Sequence, residues 1–180
     1  IRPSAATERR YEARLDRLIG EMAASVMYWT RARWRAQGGD LAQDAVRTPS
    51  AALAREMDEL SRQWQVRFDL LATALGNWFS RSVERRTTTS LRRMLRAGGM
   101  AVEFKMTPAM RDVMGATVQQ SVSLIRSIPE RYFTQVEGIV QRGVQSGRDL
   151  ATVSDELQSQ LGVTRRRAAL IARDQNNKAT

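Results

Sequence analysis

Residues 53–78, LAREMDELSRQWQVRFDLLATALGNW, place Leu53, Met57, Leu60, Trp64, Phe68, Leu71, Leu75 and Trp78 at successive spacings of four and three. That period puts all eight on one side of an α-helix. Its persistence over more than three approximate heptads marks a helix that lies along another helix for most of its length. Two arrangements satisfy it: an antiparallel hairpin inside the chain, or a bundle formed between chains. Leu53, Leu60, Trp64, Phe68, Leu71, Leu75 and Trp78 are therefore candidate helix-interface residues, and the tryptophans read as packing anchors rather than platforms for stacked bases.

Upstream, Thr48-Pro49-Ser50 supplies a start for this helix, with Ser50 able to cap free backbone amides. Earlier still, Tyr11, Leu15, Leu18, Met22, Val26 and Trp29 share one face of a helix from about Ser4 to Ala36, which Gly38 and Gly39 end. Downstream, Arg81, Arg85, Arg86, Arg92, Arg93 and Arg96 stand against the single acid Glu84. Arg81 with Arg85, and Arg92 with Arg96, are four apart, where like charges on a helix repel by roughly 0.3 kcal/mol per pair. Such a run occurs on a solvated face, or against phosphates or an acidic partner. Within it, Thr87-Thr88-Thr89-Ser90 suggests a bend or a helix restart. Gly98-Gly99 then punctuates the chain, and Ala101 to Met106 alternates as a short extended connector.

In the remaining third, Thr107 followed by Pro108 reads as a cap and a first helical residue. Met110, Val113, Met114, Thr117, Val118, Ser121, Val122 and Ile125 then form one face, and Ser127-Ile128-Pro129 is expected to break the helix. The next helix carries Tyr132, Val136, Ile139, Val140 and Val144 and ends at Gly147. Gly138 and Gly143 inside it each cost about 1 kcal/mol relative to alanine, which points to close helix packing. A helix over 149–161 turns Val153 and Leu157 inward, Gly162 stops it, and Thr164 caps a last helix. The expected fold is all-α and elongated: a long N-terminal hairpin (1–97), a connector (98–107), and a bundle of shorter helices (108–180), with at most one short extended segment.

The chain has 180 residues, 29 of them Lys or Arg and 19 Asp or Glu, for a net charge of +10. Only Lys105 and Lys178 are lysines. Arginine's planar fork suits bidentate contact with phosphate or carboxylate, although a coding bias toward arginine gives the same count. Residues 1–100 hold 18 basic and 11 acidic side chains and residues 101–180 hold 11 and 8, so the N-terminal part is the better candidate for an anionic partner. No stretch approaches the ~18 apolar residues of a membrane span, and no signal peptide opens the chain. A soluble protein of cytosolic origin with no membrane partner is expected. Its opening residue, Ile1 rather than Met, reads as trimming.

Histidine and cysteine are both absent, which removes the Ser-His-Asp triad, histidine or thiolate metal sites, thiol nucleophiles and disulfides. No P-loop, dinucleotide fingerprint or zinc spacing appears. Asp58-Glu59 and Asp155-Glu156 point in different directions on a helix and lack a third magnesium ligand. No catalytic residue, metal or cofactor is expected. Residues 154–178 also fit a helix-turn-helix, with Gly162 at the turn, Leu157, Leu161, Val163 and Ile171 buried, and Arg165, Arg166 and Arg167 opening a recognition helix. Gln158 is its defect, since that position wants a small residue. The three arginines oppose the helix dipole, which slightly favours an anionic neighbour.

Four stretches carry a resemblance: FKMTPAM (104–110), SVSLIRSIP (121–129), GVQSGRDL (143–150) and GVTRRRAALIARDQNNK (162–178). In this order, over roughly residues 102–178, they resemble the minor head proteins of tailed phages, the phage Mu F-like head morphogenesis family. The long helices before them match in character only. The resemblance implies a structural minor capsid protein at the portal vertex of the virion, assembled in the host cytoplasm. Its implied partners are the portal protein and other head proteins, in multiple copies, with a further role toward packaged double-stranded DNA. It implies no catalysis. The family continues past the ARDQ element, so the resemblance implies a region beyond Thr180. In this reading Arg165–Arg167 cap a helix pair that faces the portal or another head protein; in the alternative, a helical DNA-binding module, they enter a major groove.

Overall fold

The computed structural model describes residues 4–39, 49–100 and 106–178, which form four helices and, among the described residues, no strand. These are α1 (Ala5–Gly39), α2 (Pro49–Ala97), α3 (Pro108–Gln145) and α4 (Leu150–Lys178). At 1.5 Å per residue α2 alone is about 73 Å long, so the molecule is elongated.

Each helix runs antiparallel to the one before it. Trp64 Nε1 on α2 donates to Ser25 Oγ on α1 at 3.1 Å, and the Arg33–Glu56 ion pair at 2.7 Å follows as α1 rises and α2 falls. Arg126–Asp69 at 3.0 Å and Ser80–Met114 at 3.3 Å align α3 with α2. Arg142–Glu156 at 3.6 Å aligns α4 with α3, and Arg165–Asp16 at 2.8 Å returns α4 to α1. The result is an up-down-up-down four-helix bundle in which neighbours pack α1–α2–α3–α4–α1. Across the middle, the Tyr11 hydroxyl and Ser121 Oγ share a buried hydrogen bond of 2.5 Å between the opposed helices α1 and α3.

One apolar core serves all four helices, including Leu15, Ile19 and Met22 from α1, Ile125, Phe133 and Val136 from α3, and Val153 and Leu157 from α4. From α2, Leu53, Phe68 and Leu75 are fully buried, Leu60 and Trp64 nearly so, and Leu71 and Trp78 pack half-buried against them. The long stripe is thus covered within one chain, by α3 more than by α1, so it serves a four-helix core rather than an α1–α2 hairpin alone.

Three expected interruptions are absent. α2 passes straight through the Thr87–Ser90 tetrad, where Thr89 Oγ1 donates to the Arg85 carbonyl at 2.7 Å and so serves the helix's own backbone. α3 passes through Pro129, which is buried beside Ile125, Ile128, Tyr132 and Phe133. An interior proline costs about 3 kcal/mol, whereas burial of each such apolar side chain contributes about 1.5–3 kcal/mol, so packing wins. α4 passes through Gly162, since one glycine costs about 1 kcal/mol and Leu157, Leu161 and Ala168 on either side are buried. Thr164 is not a cap: it is buried in mid-helix and its Oγ1 donates to the Gln160 carbonyl at 3.0 Å. Residues 154–178 therefore hold no helix-turn-helix, and Val163, which that motif would bury, is 46% exposed.

The helix ends follow their local chemistry more closely. Thr107 Oγ1 accepts from the Met110 amide at 3.3 Å and Pro108 opens α3. Pro49 opens α2, and the expected capping by the Ser50 side chain lies outside the described residues. Gly99, at φ +73°, ends α2: its amide bonds the Arg96 carbonyl and the Met100 amide bonds that of Leu95. Gly147, at φ +60°, closes α3 the same way, and the Thr152 amide donates to Asp149 Oδ1 at 2.7 Å to open α4. A Cβ on Gly143 would lie 2.6 Å from Val153 and 3.1 Å from Trp34, so the close approach expected there exists; at Gly138 only the Arg142 guanidinium is near. The expected extended connector falls largely on 101–105, outside the described residues.

Candidate functional site

Tyr11 on α1 meets Phe79 on α2 edge to face, with ring centroids 5.8 Å apart. From that level α1 has six residues left to Ala5, while α2 has eighteen to reach Ala97. The last three turns of α2, about 18 Å, therefore extend beyond the start of α1. Arg86, Arg92, Arg93 and Arg96 lie on this overhang, with Arg81 and Arg85 at its root, and all six are exposed. Arg81 Nε donates to the Asn77 carbonyl at 3.2 Å, and none of the six forms an ion pair among the described residues. The structure thus keeps the run together on one solvated, strongly positive helix.

Arg165, Arg166 and Arg167 are adjacent in sequence, but at about 100° per residue a helix sends them to different neighbours. Arg165 pairs with Asp16 on α1, Arg167 reaches Ser127 Oγ on α3 at 3.4 Å, and Arg166 is exposed. Burial, and then the nearby Arg131, lower the Arg167 pKa from its ordinary value. The triplet is spread around the middle of α4 and does not form one recognition surface.

An apolar groove of about 370 Å³ that the sequence did not announce lies at the overhang end, lined by Phe79, Val83 and Thr87 of α2, Met110, Val113 and Met114 of α3, and Met106 and Lys178. The early face of α3 was legible as an apolar stripe, but only from Ser121 onward does the bundle bury it. Val113 is 69% exposed and Met110 38%. A stripe with three methionines within nine residues, placed before the tightly packed segment, was the available signal.

Elsewhere, among the described residues, no three of His, Cys, Asp and Glu cluster as metal ligands, and no helix is long and apolar enough to cross a membrane. Asp58 lies near Glu137, whose pKa is raised by desolvation and then by the Asp58 charge, which is repulsion rather than a shared ligand set. No family model matches the chain, and neither a curated protein nor a solved structure matches it.

Proposed function

We propose that this protein is a structural minor head protein of a tailed phage, acting without catalysis by contact with the portal and neighbouring head proteins. The assignment to a phage head rests on the four motifs at 104–110, 121–129, 143–150 and 162–178. The contact role rests on one structural observation: at one end of a well-packed bundle, a bare cationic helix and an open apolar groove lie side by side. Surfaces of this composition are what a helical bundle needs to engage another macromolecule.

Co-expression with the portal protein, followed by purification in low and in high salt, tests this. Retention in both is expected, since apolar helix contacts resist salt whereas exposed charge pairs do not. Loss in both overturns the assignment.

Direct contact with DNA has one observation in its favour, the six exposed arginines on α2 that form no ion pair among the described residues. It runs through that helix and not through Arg165–Arg167. Binding of duplex DNA that weakens steeply with salt, and disappears when Arg86, Arg92, Arg93 and Arg96 become alanine, would replace the portal reading if portal binding fails.

A further inference from the structure

We propose that the groove at the overhang end of the bundle receives an amphipathic helix with acidic flanks from a partner protein. This rests on the reading of the chain as one that works by protein contact, and adds where the contact lies and what chemistry it selects.

The floor of the groove is apolar and adaptable. Phe79 and Val83 form one wall and Met110, Val113 and Met114 the other, and unbranched methionines reshape around whatever aliphatic or aromatic side chain enters. A space of about 370 Å³ admits a few anchoring side chains and not a whole helix. The occupant therefore lies along the groove and inserts residues at spacings of three, four and seven.

The overhang continues one wall. At helical spacing Ser90 and Met94 prolong the line of Val83 and Thr87, and Met94 is 55% exposed. Arg86 and Arg93, seven apart, flank this line, with Arg92 and Arg96 behind them. The acids nearby do not cancel this charge. Among the described residues, Glu84 is the one acid between 81 and 97, Arg111 beside Asp112 in the sequence leaves that part of α3 without net charge, and Asp174 is paired at 2.8 Å with Lys178. The rim on the α2 side is thus net positive. That charge disfavours a second copy of this chain, which would bring two sets of exposed guanidinium groups together on molecules of charge +10. It favours carboxylates.

The test uses the full chain labelled with ¹³C-methyl methionine. Met106, Met110 and Met114 line the groove, whereas Met22 and Met57 are buried in the core and serve as internal controls. The probe is a designed amphipathic peptide with leucine and phenylalanine on one face and glutamate on both flanks, compared with the same peptide bearing lysine. Expected are shifts of the three groove methyls with the glutamate peptide alone, and binding weakened roughly tenfold by Arg86→Glu with Arg93→Glu. Val113→Asp should abolish binding while leaving helicity and melting unchanged, because Val113 is already exposed. Equal binding of the lysine peptide, shifts at Met22 and Met57 instead, or groove shifts produced by protein concentration alone would overturn the proposal, the last by making a second copy the occupant. Portal retention with no peptide binding removes this inference and leaves the contact reading standing; peptide binding without portal retention keeps the inference and overturns the portal as the partner.

Discussion

At position 143 the absence of a Cβ lets α3 approach α4 with Val153 and Trp34 already in contact range. Alanine there must displace a packed valine and an indole, an overpacking that costs about 1–3 kcal/mol. Five residues earlier, Gly138 meets only the mobile end of Arg142, so alanine there should stabilise by about 0.5–1 kcal/mol through helix propensity. Thermal melting of Gly143→Ala and Gly138→Ala should therefore move in opposite directions; parallel shifts would contradict this packing. The two glycines look alike in the sequence, and both suggested close packing, because spacing along one helix does not say which face a second helix will meet. Arg165–Arg167 carry the same lesson in charge: contiguity suggested one patch, and helical rotation distributes the three side chains to α1, solvent and α3.

At the scale of the element, the long stripes were legible because helix periodicity is strong over many turns: α1 and the α2 segment 53–78 lie where their spacing put them. The cap at Thr107 and the closures at Gly99 and Gly147 were equally local, and so readable, whereas Asp149, expected as a first helical residue, is the cap of α4. Continuity was not. Pro129 and Gly162 are locally unfavourable to a helix by amounts that burial of neighbouring side chains exceeds, and that burial is settled only when four helices meet; at Thr87–Ser90, on the exposed overhang, the Thr89 hydroxyl instead bonds the Arg85 carbonyl of the same helix. This separates sharply from the alternative at Gly162. If α4 is one helix, the amides of Val163 to Arg166 bond to carbonyls one turn back, and native-state hydrogen exchange should protect them to the same degree as those of Leu157 to Leu161. Fast exchange confined to 163–166 would restore the turn and with it the helix-turn-helix.

Two buried tyrosines tie the stability of the whole bundle to pH. Tyr11 is buried against Ser121 and Phe79, and desolvation, partly offset by the Ser121 hydrogen bond, pushes its pKa up to about 12. Burial also raises that of Tyr132. A raised folded value means the protonated form is favoured in the folded state. The corresponding stability is present in full below the unfolded value near 10 and is lost as pH rises through the folded value. Urea midpoints should hold up to about pH 10 and then fall toward pH 12, and Tyr11→Phe should flatten that fall. A flat profile in the unmutated chain would mean the hydroxyls are solvated. Since the core is shared by all four helices, ionisation at either tyrosine is expected to loosen the whole molecule in one transition rather than a single helix.

The overhang of α2 amounts to a short peptide grown from a seed that is already helical. A free peptide of its length is mostly coil in water, because the first turn is the costly one to form. Here the bundle supplies that turn and only propagation remains, opposed by guanidinium repulsion and held at the far end by the hydrogen-bonded closure at Gly99. Its helical length is therefore set by ionic surroundings: added salt should extend it from the root toward Ala97, and an anionic surface would do so locally, making order at the tip a reporter of what lies against it.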